Sequence, residues 1–278
     1  MVRIFADTST LYNTAQAREA GFSVSPLSVT IAGQTYREFD DIEPEAFTAL
    51  IRQGHLPTSS QPAIGEVAAL YEQYPEDEIL NITMADGLSG TYASAVAAAE
   101  LCSAPGRITV LNSRTLCGPH RYLVENAVRL AAKGLTLPAI VRRTEELMRT
   151  AKSFLVPADF AYLRRGGRLS PLVSYVGQAA RLTPLITPTE DGRQLTLAGI
   201  RRSFLQAVEQ TAKAFTAHGV GEGWRIYITH ADAQHLADQA AKLLGRAFPA
   251  AVVEILPLSP VFITQGGPGC VAIQAIHS

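Results

Sequence analysis

Apolar and polar positions along this chain fall into blocks that read as strands delivering into hydroxyl-rich loops and then into helices. Arg3 to Ala6 is a short apolar strand that ends on Asp7-Thr8-Ser9-Thr10. Phe22 to Ile31 is rich in β-branched residues, Ala32-Gly33 supplies a turn and Gln34 to Arg37 returns, which predicts a hairpin serving as an arm or a lid. Pro44 opens a helix running to about Arg52, with acidic residues at its favourable end. Two prolines in Leu56 to Pro62 bar a helix and hold Thr58, Ser59 and Ser60 on a stiff extended loop. A helix over Ile64 to Tyr74, a strand over Ile79 to Thr83, a helix ending at Glu100 and a strand over Ile108 to Leu111 follow in βαβ order. That order predicts a parallel sheet.

Helical patterns over Tyr122 to Ala132 and Pro138 to Thr150 lead to a strand at Ser153 to Val156, where the texture changes. We place a domain boundary there, giving an α/β domain over residues 1–150 and an α+β domain over 151–278. The second half reads as a hairpin, Leu182 to Pro188 and Gln194 to Ile200 around Glu190-Asp191-Gly192, then a helix over Ser203 to His218. A strand at Arg225 to His230, a helix over Asp232 to Arg246, a strand at Ala251 to Leu258 and a terminal Gly266-Gly267-Pro268-Gly269 segment complete it. No linker separates the halves, so they are expected to pack tightly.

In open α/β sheets, ligands bind beyond the carboxyl ends of the strands. Asp7 to Thr10 and Ser89-Gly90-Thr91 both fall there, and the hydroxyls of the proline-rich loop, Ser59 and Ser60 among them, form a third polar group. The Leu88-Ser89-Gly90-Thr91 loop opens an alanine-rich helix, so its N–H groups and the helix dipole favour an anion in front of it. A carboxylate and a phosphate suit that chemistry equally well, and plain helix capping by Ser89 or Thr91 competes with both.

Composition narrows the class. The chain has 278 residues, 47% hydrophobic and 18% charged, which is ordinary globular material. A net charge of -1 gives no global field for nucleic acid. No stretch has signal-peptide or membrane-spanning character, so a cytoplasmic protein without stable membrane insertion is expected. Cys102, Cys117 and Cys270 are far apart and read as reduced thiols; Cys117, in a Gly-Pro turn, has no base partner in its sequence context. No metal site is expected, because His230 and His235 do not share a helical face. Phosphate-loop and dinucleotide fingerprints are absent, and none of the six histidines has a context that sets it beside a loop serine. Arg164, Arg165 and Arg168 surround Gly166-Gly167, and one is expected to face inward; Arg201-Arg202 is a second cationic pair at a strand end.

Asp7 to Thr10, Val24-Ser25-Pro26-Leu27, Gly33 with Tyr36, Ser59-Ser60-Gln61-Pro62, Leu88 to Ala95, Tyr162 to Ser170, Arg201 and Gly267-Pro268-Gly269 stand in an order and spacing that resembles the DegV family across nearly the whole chain. The resemblance implies a two-domain fold, an α/β/α domain with a parallel sheet followed by an α+β domain with a mixed sheet that completes an acyl-chain tunnel. It implies a non-catalytic fatty-acid-binding protein without a cofactor, of the kind that serves as the acyl-carrying subunit of a bacterial fatty acid kinase. The carboxylate would be held by Ser59, Ser60, Ser89, Gly90, Thr91 and Gln265, with Arg168 and Arg201 as head-group or partner-facing cations. Three positions depart from the family pattern: Gln265 replaces a histidine, Asn112 an aspartate and Leu11 an acid of the first loop. Gln265 can donate a hydrogen bond but supplies neither charge nor a proton, which bears on phosphorylation rather than on binding. A stand-alone lipid carrier and a serine-based hydrolase or phosphotransferase using Ser59 or Ser89 are the alternative classes. Burying about sixteen methylenes at about 0.8 kcal/mol each is worth on the order of 12 kcal/mol before association costs, so the tail would supply affinity and the head-group loops orientation.

Overall fold

The computed structural model describes residues 1–170 and 182–278. The first half contains β1 (Val2–Asp7), α1 (Thr14–Glu19), β2 (Ser23–Ser25), β3 (Ser28–Ile31), β4 (Gln34–Arg37), α2 (Pro44–Arg52), β5 (Thr58–Ser60) and α3 (Ile64–Tyr71). It continues with β6 (Glu78–Thr83), α4 (Thr91–Glu100), β7 (Ile108–Asn112), α5 (Cys117–Ala132) and α6 (Leu137–Met148). Strands β2-β1-β6-β7 form a parallel sheet. Parallel strands covered on both faces read as continuous apolar runs, and β6 is buried from Ile79 to Thr83. One face packs on α1, α5 and α6 through Ala17, Val124, Ala127 and Ile140. The other packs on α3 and α4 through Val67, Tyr71, Ala98 and Ala99.

The second half contains β8 (Lys152–Val156), α7 (Phe160–Gly166), β9 (Thr183–Pro188), β10 (Leu195–Arg201), α8 (Phe204–Ala217), β11 (Trp224–His230), α9 (Gln234–Ala247), β12 (Val252–Pro257), α10 (Pro260–Gly266) and β13 (Val271–His277). Six strands form a mixed sheet in the order β10-β9-β8-β13-β11-β12, in which, among the described residues, only β11 and β12 run parallel. Helices α8 and α9 cover one face through Val208, Phe215, Ala237 and Leu244. The other face turns toward the first half, where Tyr227 and Ile276 meet Tyr122, Leu123 and Leu147.

Four local expectations are revised. The run Phe22 to Ile31 is two strands, because Pro26 has no N–H and the chain changes sheets there: β2 pairs with β1, and β3 pairs with β4. The extended loop holding Thr58, Ser59 and Ser60 is a strand, β5, paired antiparallel to β3, so the predicted hairpin is a three-stranded sheet. That sheet is a wall rather than an arm, since Leu27, Val29 and Ile31 are buried with Phe47, Val261 and Ile263. Helix α5 begins at Cys117, earlier than expected, with Pro119 inside the first turn where its missing N–H is tolerated. Helices α7 and α10 have seven residues each, too short for periodicity to announce them.

Gly118, in the first turn of α5, packs directly on the mixed sheet; a Cβ there would overlap Tyr227. Gly118→Ala is expected to cost about 1–3 kcal/mol through overpacking. Chemical denaturation would read this as a lower midpoint at unchanged slope, and an unshifted midpoint would show that the seam yields freely.

Candidate functional site

Between the mixed sheet and the first half lies a cavity of about 420 Å³. Its floor follows from strand register: Ser153 pairs with Gln274, Leu155 with Ala272, and Leu155 with Ile186, so these side chains share one face and all line the space. Leu27, Met84, Leu116 and Cys117 from the first half, with Val261 and Phe262 of α10, close the opposite side. Burial pushes the Cys117 thiol well up and the Cys270 thiol to about 12, so both lining cysteines are apolar wall rather than thiolate.

At one part of the lining the surface changes to hydroxyls, amides and a cation. Ser59, Ser60, Ser89, Gly90, Arg168 and Gln265 all line the cavity here. Gln265 Nε2 donates to Ser59 Oγ at 3.1 Å. Ser89 Oγ lies 2.8 Å from Thr91 Oγ1 and accepts the Thr91 N–H at 3.3 Å. Ser59 Oγ accepts the Gln265 bond, which leaves its O–H to donate to an incoming acceptor, and in the Ser89–Thr91 pair either hydroxyl can be the donor. Gly90 precedes α4, whose first N–H groups have no partners within the helix. Arg168 Nε donates to the Leu88 carbonyl at 3.1 Å, and its Nη1 donates to the Gly166 carbonyl. Gly166 packs against the Gln265 amide, which would have to shift for any Cβ there. Of the three arginines, Arg168 lines the cavity and Arg164 and Arg165 do not; Arg165 stacks on Tyr162 at 4.3 Å.

Two expected residues stand elsewhere. Thr91 is not part of the lining; it is buried behind Ser89 and positions it. Arg201 sits at the far end of β10, six residues from the lining residue Leu195, roughly 20 Å of strand away, and its Nη1 donates to the Ile200 carbonyl at 2.6 Å. Two of the departures outside the lining have structural roles: Leu11 is buried among Leu27, Val29 and Phe47, and Asn112 Oδ1 accepts the Asp86 and Arg114 N–H groups at 3.3 and 3.0 Å.

Sequence reasoning missed a buried polar network behind the site. Ser9 Oγ is 2.5 Å from His120 Nδ1, and His120 Nε2 is 2.9 Å from the Ile82 carbonyl, an arrangement in which Ser9 donates to Nδ1 and Nε2–H donates to the carbonyl. Asp7 accepts the Ser9 and Met84 N–H groups at 2.9 and 2.8 Å. Ser9, His120 and Asp7 are all at most 1% exposed and none lines the cavity, so this Ser-His-Asp cluster braces strand ends. Burial lowers the His120 pKa. Among the described residues no histidine, aspartate or glutamate lines the cavity, and no cluster of three or more metal-ligating side chains is present.

Glu38, also fully buried, takes Thr8 Oγ1–H at 2.5 Å on one oxygen and the Val261 N–H at 3.0 Å on the other. Thr8 Oγ1 in turn accepts the Leu27 N–H at 3.0 Å. Burial raises the Glu38 carboxyl from 4.5 to about 7, against the opposing pull of those hydrogen bonds. A carboxyl raised on folding contributes stability that is full below about 4.5 and is lost as pH rises through about 7. His120, lowered on folding, works in the opposite sense and loses its contribution as pH falls below its ordinary value. Wild type is therefore expected to lose on the order of 3 kcal/mol relative to Glu38→Gln between roughly pH 4 and pH 8, since the amide does not titrate. Paired denaturation curves across that range measure it, and a constant difference would contradict the assignment.

The parallel sheet, the mixed sheet and the cavity between them define a two-sheet α/β class with a part-polar, part-apolar binding space. The whole chain, residues 1–278, matches the family described as "Uncharacterised protein, DegV family". It is 30% identical over 257 residues to a DegV domain-containing protein of Staphylococcus aureus, spanning 91% of this chain and 90% of that protein. A DegV family protein from Thermus thermophilus, described by its fatty acid binding, superposes with a TM-score of 0.90 at 27% identity, covering 100% of this chain and 99% of that one. DegV of Bacillus subtilis, a fatty acid binding protein, shares the fold at a TM-score of 0.88 and 24% identity, covering 100% and 99% of the two chains. This chain belongs to the DegV family.

Proposed function

We propose that this protein binds a long-chain fatty acid, with the carboxylate on the Ser59, Ser60, Ser89 and Gly90 cradle and the tail in the apolar cavity. The observation that carries this reading is the polarity gradient along one continuous lining: hydroxyls, an amide and Arg168 at one part, and leucine, methionine, phenylalanine and isoleucine over most of the rest. Removing a carboxylate from water costs several kcal/mol unless its hydrogen bonds are replaced. The serine O–H groups, the N–H groups at the start of α4 and the nearby guanidinium are the replacements. The fatty acid binding of the Thermus thermophilus relative supports the same ligand class. In this reading residues 1–150 supply most of the head-group loops, and residues 151–278 supply the tail floor together with Arg168 and Gln265.

A lining without histidine or carboxylate among the described residues favours a carrier over a serine hydrolase, because neither Ser59 nor Ser89 has such a general base beside it. Presentation of the bound acid to a fatty acid kinase is the finer form of the proposal. Gln265 favours the stand-alone carrier as its rival, since an amide beside Ser59 offers no proton for phosphoryl transfer. Recovery of a kinase subunit with the tagged protein, and acyl phosphate formation on mixing the two with ATP, separates these readings.

Organic extraction and mass spectrometry of the protein as isolated should release a long-chain fatty acid in near-stoichiometric amount. A protein that is lipid-free and indifferent to added lipid sinks the reading. The paired variant Ser89→Ala with Arg168→Ala is expected to weaken binding of a long-chain acid at least tenfold more than binding of the matching alcohol. Equal losses for acid and alcohol would remove any charge-reading role for the two residues.

A further inference from the structure

The polar part of the lining is built from two segments that are separate in the chain and in the sheets. Ser59 and Ser60 belong to β5, which pairs with β3 of the small sheet. Ser89 and Gly90 belong to the loop that opens α4, beyond the parallel sheet. A carboxylate that bonds to both segments reads the spacing between them, because hydrogen bonds weaken steeply with distance and angle.

Gln61 spans the two. It directly follows Ser60, and Pro62 after it restricts its backbone to extended conformations. Its Nε2 donates to Ser94 Oγ at 2.5 Å, across 33 positions of sequence. Among the described residues this is the only hydrogen bond joining residues 58–62 to residues 85–95. Its amide also lies against Gly90, where a Cβ would displace Oε1. Gly90 has φ -73° and ψ 2°, which other residues adopt freely, so the contact with Gln61 and not the backbone is what favours glycine there. Ser94 closes the first turn of α4 by donating its N–H to the Gly90 carbonyl at 2.9 Å. The Gln61 amide thus touches both ends of that turn. Gln61 lines the cavity and is solvent-exposed, whereas Ser94 is 2% exposed and outside the lining.

We propose that Gln61 is a positioning residue that sets the β5 serines and the Ser89-Gly90 loop at the spacing a carboxylate needs, acting through Ser94 and Gly90. A binding constellation is precise only when the residues that carry it are held by further contacts. Gln265 and Thr91 hold the two serines individually, and Gln61 ties their segments to each other. This rests on the fatty acid reading of the head-group cradle and deepens it.

The test measures hexadecanoic acid and hexadecanol binding to delipidated protein, and follows the carbon NMR signal of carboxyl-labelled acid across pH. Ser94→Ala removes the tie from outside the lining and leaves the Gln61 amide present. It should lower the acid-over-alcohol affinity ratio about fivefold, the worth of one net hydrogen bond, with alcohol affinity unchanged. The bound carboxyl should titrate at higher pH than in wild type, since poorly aligned donors favour the ionised form less. Gln61→Ala should match it, and the double variant should lose no more than either single one, because one interaction is removed. Gln61→Asn keeps an exposed amide but falls one methylene short of Ser94, and replaces Ser94→Ala should that variant fold poorly. An unchanged ratio in Ser94→Ala and Gln61→Asn overturns the proposal and leaves the head-group reading intact. A ratio that falls only in Gln61→Ala, or equal losses for acid and alcohol, also overturns it, the first marking a direct ligand contact and the second a merely structural one. Wild type that does not prefer the acid overturns this inference and the head-group reading together.

Discussion

The buried carboxylate of Glu38 joins three parts of the molecule that are distant in sequence. One oxygen holds Thr8, in the loop that ends the first strand, and the other holds the Val261 N–H at the start of α10. Because a buried carboxylate without partners is strongly unfavourable, the arrangement tolerates little drift between the loop, the small sheet and α10. Thr8 passes the constraint on by accepting the Leu27 N–H, and both Leu27 and Val261 are walls of the cavity. Two walls of the cavity are thus tied to a polar contact outside its own lining.

Several polar side chains of the cavity lining are already held by protein partners. Arg168 is held by two carbonyl oxygens, Ser59 by Gln265 and Ser89 by Thr91, so binding need not freeze those side chains. Preorganisation of this kind lowers the entropic cost of binding a ligand there. The neutral Gln265 fits a site that orients a carboxylate rather than one that moves protons. Serine, histidine and aspartate do meet in this fold, at Ser9, His120 and Asp7, but in a dry interior that offers a substrate no approach.

The legible part of the fold was the part with strong local signals. Helices α2, α8 and α9 and the strand β6 followed from periodicity, apolar runs and capping residues. The switch of sheets at Pro26, the pairing of β5 and the short helices α7 and α10 did not. Three-residue strands and seven-residue helices carry too little pattern, and their stability comes from what they pack against.

Among the cavity-lining residues, Ser59, Ser60, Ser89, Gly90 and Arg168 sit in local motifs whose anion-facing chemistry is readable from the sequence by itself, whereas Gln265 comes only from the family resemblance. Only tertiary structure decided that Thr91 stands behind Ser89, that Arg201 lies at the remote end of its strand, and that Gln274 and Ser153 break the apolar floor. The reason is range. Backbone propensity and capping act over a few neighbouring residues, whereas Ser9 meets His120 across 111 positions, Gln274 meets Gly118 across 156 and Glu38 meets Val261 across 223. Contacts over such separations are set by how the two sheets pack, and no local pattern encodes them.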